Sequence, residues 1–89
     1  MNKTETKELT PEQATALSHF RSIYDQFPYD DRCSELSGDD EKVIEKIYNQ
    51  WRGLAINIRS CDECVNEAFD RVMKELIRYE KAKTEAGQN

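Results

Sequence analysis

The chain contains no apolar run of 18 residues, so no stretch of it reads as a membrane-spanning helix. It has three glycines and two prolines in 89 residues, too few turn signals for the many short strands of an all-β domain. Its three cysteines are an odd number and do not suit a secreted disulfide framework. The start, Met1-Asn-Lys-Thr-Glu-Thr-Lys-Glu8, lacks the apolar segment of a secretory signal. The expected location is therefore a reducing cytoplasm, that of the host if the protein is viral. No Ser/His/Asp set, glycine-rich phosphate loop or carboxylate pair with its own scaffold can be found, and the single histidine, His19, stands alone. The chain reads as non-enzymatic, with no cofactor.

What is present is charge and helical patterning. Charged residues make up 35% of the chain and hydrophobic ones 37%, and the apolar residues recur at helical steps, which argues against wholesale disorder. The net charge of -5 is unevenly placed. From Asp25 to Glu45 eight acids face only Arg32 and Lys42, a local excess of -6, whereas from Trp51 onward seven acids and seven bases cancel. An acidic surface repels phosphate, so nucleic acid is a poor partner and a basic protein surface a better one. A DNA-mimic role is weakened by the balanced second half.

Along the chain, residues 1–9 read as a flexible tail. Thr10-Pro-Glu-Gln13 carries a capping box with proline at the first helical position. Leu17, Phe20, Tyr24 and Phe27 then form one apolar stripe, and Phe27-Pro28 ends the helix. Residues 28–38 read as a loop anchored by Tyr29 and Leu36. Ser37 or Asp39 caps a second helix whose first turn holds Asp39, Asp40 and Glu41, where the macrodipole favours negative charge. Ile44, Ile47, Trp51, Leu54 and Ile58 make its apolar seam, with Gly53 as a mid-helix glycine. Ser60-Cys-Asp-Glu63 reads as another capping box, opening a third helix. From Cys64 to Ile77 the apolar arc of that helix is too wide for one neighbour, so it should touch both other helices or a second copy of the chain. Residues 84–89 read as a second tail. The expectation is an all-α domain over residues 10–83, with helices at about 11–27, 39–58 and 61–83. In it a short helix packs on a two-helix antiparallel hairpin, a three-helix bundle that self-associates.

Several groups of residues are candidates for function. Asp30, Asp31, Glu35, Asp39, Asp40 and Glu41 form the acidic surface for a protein partner, and Tyr48 and Trp51 are candidate apolar anchors, against the plainer reading that both are core. Cys61-x-x-Cys64 is the one motif with potential chemistry. A helix N-terminus and Arg59 favour its thiolate, whereas Asp62, Glu63 and the lack of a βαβ pattern oppose a redox role. With Cys33, and His19 as a fourth ligand, it makes a candidate metal set; the plainer reading is cysteines that pack a helix start. Asp30 to Glu41 spans an EF-hand length but has Arg32 and Glu35 where a ligand and a glycine belong. Arg71, Lys74, Arg78 and Lys81 form a basic stripe that is best read as a solvated face.

Tyr48…Gly53 followed by Ser60-Cys-x-x-Cys-Val-x-x-Ala68, about thirty residues at most, resembles small, largely uncharacterised helical proteins of tailed phages. The order from Phe20 to Ala55, helix, Pro, Asp-Arg, helix, Trp-x-x-x-Ala, is also similar to the helical hairpin of phage proteins that sequester cyclic nucleotides. Here the loop before the tryptophan is longer and more acidic, so no binding residue carries over. The lopsided charge of residues 25–45 and the wide apolar stripes point to a small acidic protein-interaction module, which the resemblance would make a phage accessory or anti-defence factor acting on a host or viral protein. The alternative from the residues is a small ligand- or metal-binding module centred on Cys61-x-x-Cys64.

Overall fold

The computed structural model describes residues 8–87, and among them the fold is all-α, without a strand. Four α-helices, α1 (Pro11–Ser18), α2 (Arg21–Gln26), α3 (Gly38–Arg52) and α4 (Asp62–Gly87), are joined with two 3₁₀ helices at Tyr29–Glu35 and Ile58–Ser60. Of the expected tails, residues 1–7 and 88–89 lie outside the described chain, while Leu9 is buried in the core and α4 runs on to Gly87.

α1 begins as its sequence dictates. Thr10 Oγ1 accepts the Gln13 N–H at 3.1 Å, and Gln13 Oε1 accepts the Thr10 N–H at 2.9 Å. The single helix expected over 11–27 is broken, however. The amides of His19 and Phe20 bond three residues back, to Ala16 and Leu17, and this tightening re-aims the chain. Packing accounts for the bend: Phe20 and Tyr24 both meet the Phe69 ring edge-on, at centroid distances of 6.3 and 6.0 Å.

α3 is capped by Ser37, whose Oγ accepts the Asp40 N–H while Asp40 accepts the Ser37 N–H, both at 3.1 Å. It stops at Arg52 rather than running to Ile58. Gly53 sits at φ 68°, ψ 37°, the left-handed conformation that closes helices. It is therefore a C-cap and not a mid-helix glycine. Residues 54–57 then retrace α3 in extended form. Asn49 holds both backbone polar groups of Ile56, donating to its carbonyl at 2.9 Å and accepting its N–H at 3.3 Å. One turn further back, Glu45 accepts the Ile58 N–H at 2.9 Å and lies 3.6 Å from Arg59. α4 consequently starts beside the first half of α3, so the two long helices begin at the same end and are not an antiparallel hairpin.

The Ser60 box is also replaced. Ser60 Oγ donates to Asn57 inside the second 3₁₀ turn, and Cys61, with φ -152° and ψ 147°, stands at the N-cap position. Its carbonyl accepts the Val65 N–H, and its Sγ accepts the Cys64 N–H at 3.0 Å.

α4 is the axis of the core. Val65, Ala68, Phe69, Val72, Met73 and Leu76 are buried on it, facing Leu17 and Phe20 from one side and Ile44, Ile47 and Ile58 from another. Every other helical element packs against it, so its wide apolar arc is covered within the chain. Each fully buried side chain of this size contributes about 1.5–3 kcal/mol, and α4 supplies more of them than any other element.

Candidate functional site

The acidic residues form one region at the end of the molecule where α3 and α4 begin. Asp30, Asp31 and Glu35 lie on the first 3₁₀ helix and are exposed; Asp39 is exposed in the first turn of α3, with Asp40 and Glu41 half-buried beside it. The 3₁₀ helix is fixed to α4 through Asn66, which is 3% exposed. Its Oδ1 accepts the Cys33 N–H at 2.9 Å, and its Nδ2 donates to the Asp30 carbonyl at 3.3 Å. Tyr29 Oη adds a bond to Glu63 at 3.2 Å. Burial first, and then the bond to Glu63, raises the Tyr29 hydroxyl above its ordinary pKa. Asp30 and Asp31 serve the fold through their carbonyls, which accept from Asn66 and from Ser34 Oγ.

Arg32, the only arginine in this region, is turned inward. Its Nε donates to the Phe27 carbonyl at 2.9 Å, its Nη1 lies 3.3 Å from Asp70, and its guanidinium is 4.1 Å from the centre of the Tyr24 ring. Its charge is spent on Asp70. Among the described residues none of the six acids takes part in an ion pair. Asp39, Asp40 and Glu41 also serve α3, since they occupy the end where its dipole carries a partial positive charge of about half a unit. Glu35 closes the C-terminal end of the 3₁₀ helix, where a negative charge gains nothing from the backbone.

Tyr48 and Trp51, the candidate apolar anchors, are turned into the core; each is 8% exposed, and their rings meet at 6.2 Å. Of the expected seam, Ile44, Ile47 and Trp51 on α3 and Ile58 beyond it face the protein's own core, while Leu54 is exposed. The exposed large apolar side chains are instead Val43 on α3 and Leu54 and Ile56 on the extended return.

The candidate metal set is not assembled. Among the described residues no group of three or more His, Cys, Asp or Glu side chains is placed to hold a metal ion. Cys61 and Cys64 are joined to each other as a disulfide, their Cα atoms 5.3 Å apart. Cys33 is a free, half-buried thiol, held above its ordinary pKa by burial and then by the charges of Asp62 and Glu41. His19 is exposed at the bend between α1 and α2. Arg59, expected to assist a Cys61 thiolate, is paired with Glu45.

Asn66, Asn49 and Glu45 stand outside the site residues expected from the sequence. Each is a polar residue within a helix whose partner is a backbone group outside that helix, and only Asn66, set within the apolar arc of α4, carried a visible signal.

Compared with known proteins, the chain matches no family model, no curated protein and no solved structure. No described helix is long and apolar enough to cross a membrane.

Proposed function

We propose that this protein is a non-enzymatic interaction module that presents the acidic face of Asp30, Asp31 and Glu35, flanked by Asp39, Asp40 and Glu41, to a basic surface of another protein. The observation that carries the reading is the inward turn of Arg32 onto Asp70 and Tyr24. It leaves three exposed carboxylates on a turn held rigidly against α4 by Asn66. A positioned set of like charges steers and orients a basic partner, and rigid attachment limits the ordering cost of binding. The self-association expected from the wide apolar arc of α4 has less to support it, because that arc is covered within one chain.

The test is titration of a fluorescent lysine-rich peptide with three proteins at low ionic strength. They are the wild type, the Asp30→Asn/Asp31→Asn/Glu35→Gln variant, and an equally charged control, Glu8→Gln/Glu12→Gln/Glu67→Gln. If each face carboxylate contributes about 0.5 kcal/mol, the face variant binds about tenfold more weakly and the control stays within about twofold of wild type. Equal losses in the two variants would show that only net charge matters and would overturn the assignment of the face.

A further inference from the structure

The Cys61–Cys64 disulfide crosslinks nothing but the first turn of α4. Neither sulfur ties α4 to a second element. That end of the helix is held by other means: the buried side chains of Ile58 and Val65, and the bonds of Glu63 to Tyr29 and of Asn66 to Cys33 and Asp30. The disulfide can therefore open and close while the fold stays intact. Cys61 is exposed and Cys64 half-buried against the core, so the two residues differ in access. They also differ in electrostatics, because Cys61 occupies the N-cap position and its Sγ accepts the Cys64 N–H. A thiolate there is stabilised by that bond and by the helix dipole.

The charges around the pair are negative. Asp62 and Glu63 stand between the two cysteines in sequence and are exposed. The nearest cation in sequence, Arg59, is paired with Glu45. Asp62 and Glu41 act together on the Cys33 thiol, so the start of α3 adds its acids to the same end of the molecule.

We propose that Cys61 and Cys64 form a thiol–disulfide exchange site, entered at Cys61 and selective for positively charged disulfides over anionic ones. In the reduced protein the Cys61 thiolate attacks one sulfur of a disulfide RSSR. The RS–SR bond breaks, one RS⁻ leaves and takes up a proton, and Cys61 carries the mixed disulfide. Cys64 then gives up its proton and attacks Cys61 Sγ. The second RS⁻ leaves and is protonated, and the Cys61–Cys64 bond of the structure has formed. Two electrons pass from the protein dithiol to RSSR, which becomes two RSH. The acidic surroundings supply the selectivity: they raise the local concentration of a cationic disulfide and lower that of an anionic one.

The test uses the full-length protein, reduced and freed of reductant, and follows re-formation of its disulfide by cystamine, by uncharged 2-hydroxyethyl disulfide and by dianionic dithiodipropionate. Each rate is divided by the rate of the same reagent with a Cys-x-x-Cys peptide that lacks neighbouring charges. At low ionic strength the normalised rates should fall in that order, with cystamine about tenfold or more ahead of dithiodipropionate, because close unlike charges attract and like charges repel in proportion to the inverse of their separation. The gap should shrink in high salt and in Asp62→Asn/Glu63→Gln. A Cys64→Ser variant should trap the cysteamine adduct on Cys61, identified by peptide mass mapping. Normalised rates equal within twofold, or an adduct on Cys33 in place of Cys61, would overturn the proposal. The rate comparison needs no variant, and its outcome is independent of whether the face at Asp30, Asp31 and Glu35 binds a protein.

Discussion

Arg32 reaches from the first 3₁₀ helix to Asp70 on α4, with its Nη1 3.3 Å from the Asp70 Oδ1 and both side chains largely out of solvent. This one contact does two things. It closes the loop against the central helix, together with the Arg32 bond to Phe27 and its stacking on Tyr24, and it withdraws the arginine charge from the acidic turn. Asp70 has a second partner, Lys74 at 3.1 Å, but that lysine is mostly exposed and shields the carboxylate poorly.

Removing Arg32 should therefore cost more than removing an ordinary surface cation. Arg32→Ala leaves the Phe27 carbonyl and part of Asp70 without their partner, and the pair is partly exposed, so the expected loss is about 2 kcal/mol, below the 3–5 kcal/mol typical of a broken fully buried pair. Urea denaturation gives the value directly. Arg71→Ala, which removes an exposed i,i+4 partner of Glu67, should cost about 0.5 kcal/mol or less. Equal losses for the two would contradict the special place of Arg32.

Gly53 provides a second test, because its left-handed conformation is needed and space is not limiting. A Cβ at Gly53 would meet no atom within 4 Å, so the cost of substitution is conformational alone. Gly53→Ala is expected to lose about 1 kcal/mol and Gly53→Asn less, since asparagine tolerates this region better. Thermal unfolding should rank the three proteins glycine, asparagine, alanine. An alanine variant as stable as wild type would mean that the chain does not end α3 in this way.

The alkaline limb of stability should depend on Tyr29 and Cys33. Both groups have pKa values raised in the fold, by burial first and by neighbouring carboxylates after it. The folded state thus holds their protons more tightly than the unfolded chain does. Their contribution is fully present below the unfolded values, about 8.5 for a thiol and about 10 for tyrosine, and is lost as pH rises through the higher folded values. Urea midpoints measured at pH values of about 8 and about 10.5 should show a drop in wild type that is smaller in Tyr29→Phe/Cys33→Ser. A drop of the same size in both would contradict these shifts.

Much of the architecture was legible in the sequence, because periodicity and caps are local. The Thr10 box and the Ser37 cap mark real helix starts, and most of the expected α3 seam and of the wide α4 arc is buried, with Leu54, 44% exposed, the exception in the seam. What was not legible depends on contacts between distant segments. Gly53 is equally compatible with a helix interior and a helix end; the decision falls to Asn49 and Glu45, which hold the returning chain. Ile58 fits the helical seam by spacing alone, yet it reaches the core from the 3₁₀ turn. Of the candidate site, the acidic excess was visible at once, but the departure of Arg32 to Asp70 spans 38 residues and leaves no local trace. Tyr48 and Trp51 show the converse: their spacing announces an apolar face without saying whether the partner is foreign or the chain itself.

The most direct test of the acidic face is a heteronuclear NMR titration of the isotope-labelled chain with a lysine-rich peptide at low ionic strength. Amide shifts should concentrate on Asp30, Asp31 and Glu35, with smaller changes at Asp39, Asp40 and Glu41, and should fade as salt is added. Shifts spread evenly over the acids of α4, or no saturable shifts in residues 30–41, would contradict the account.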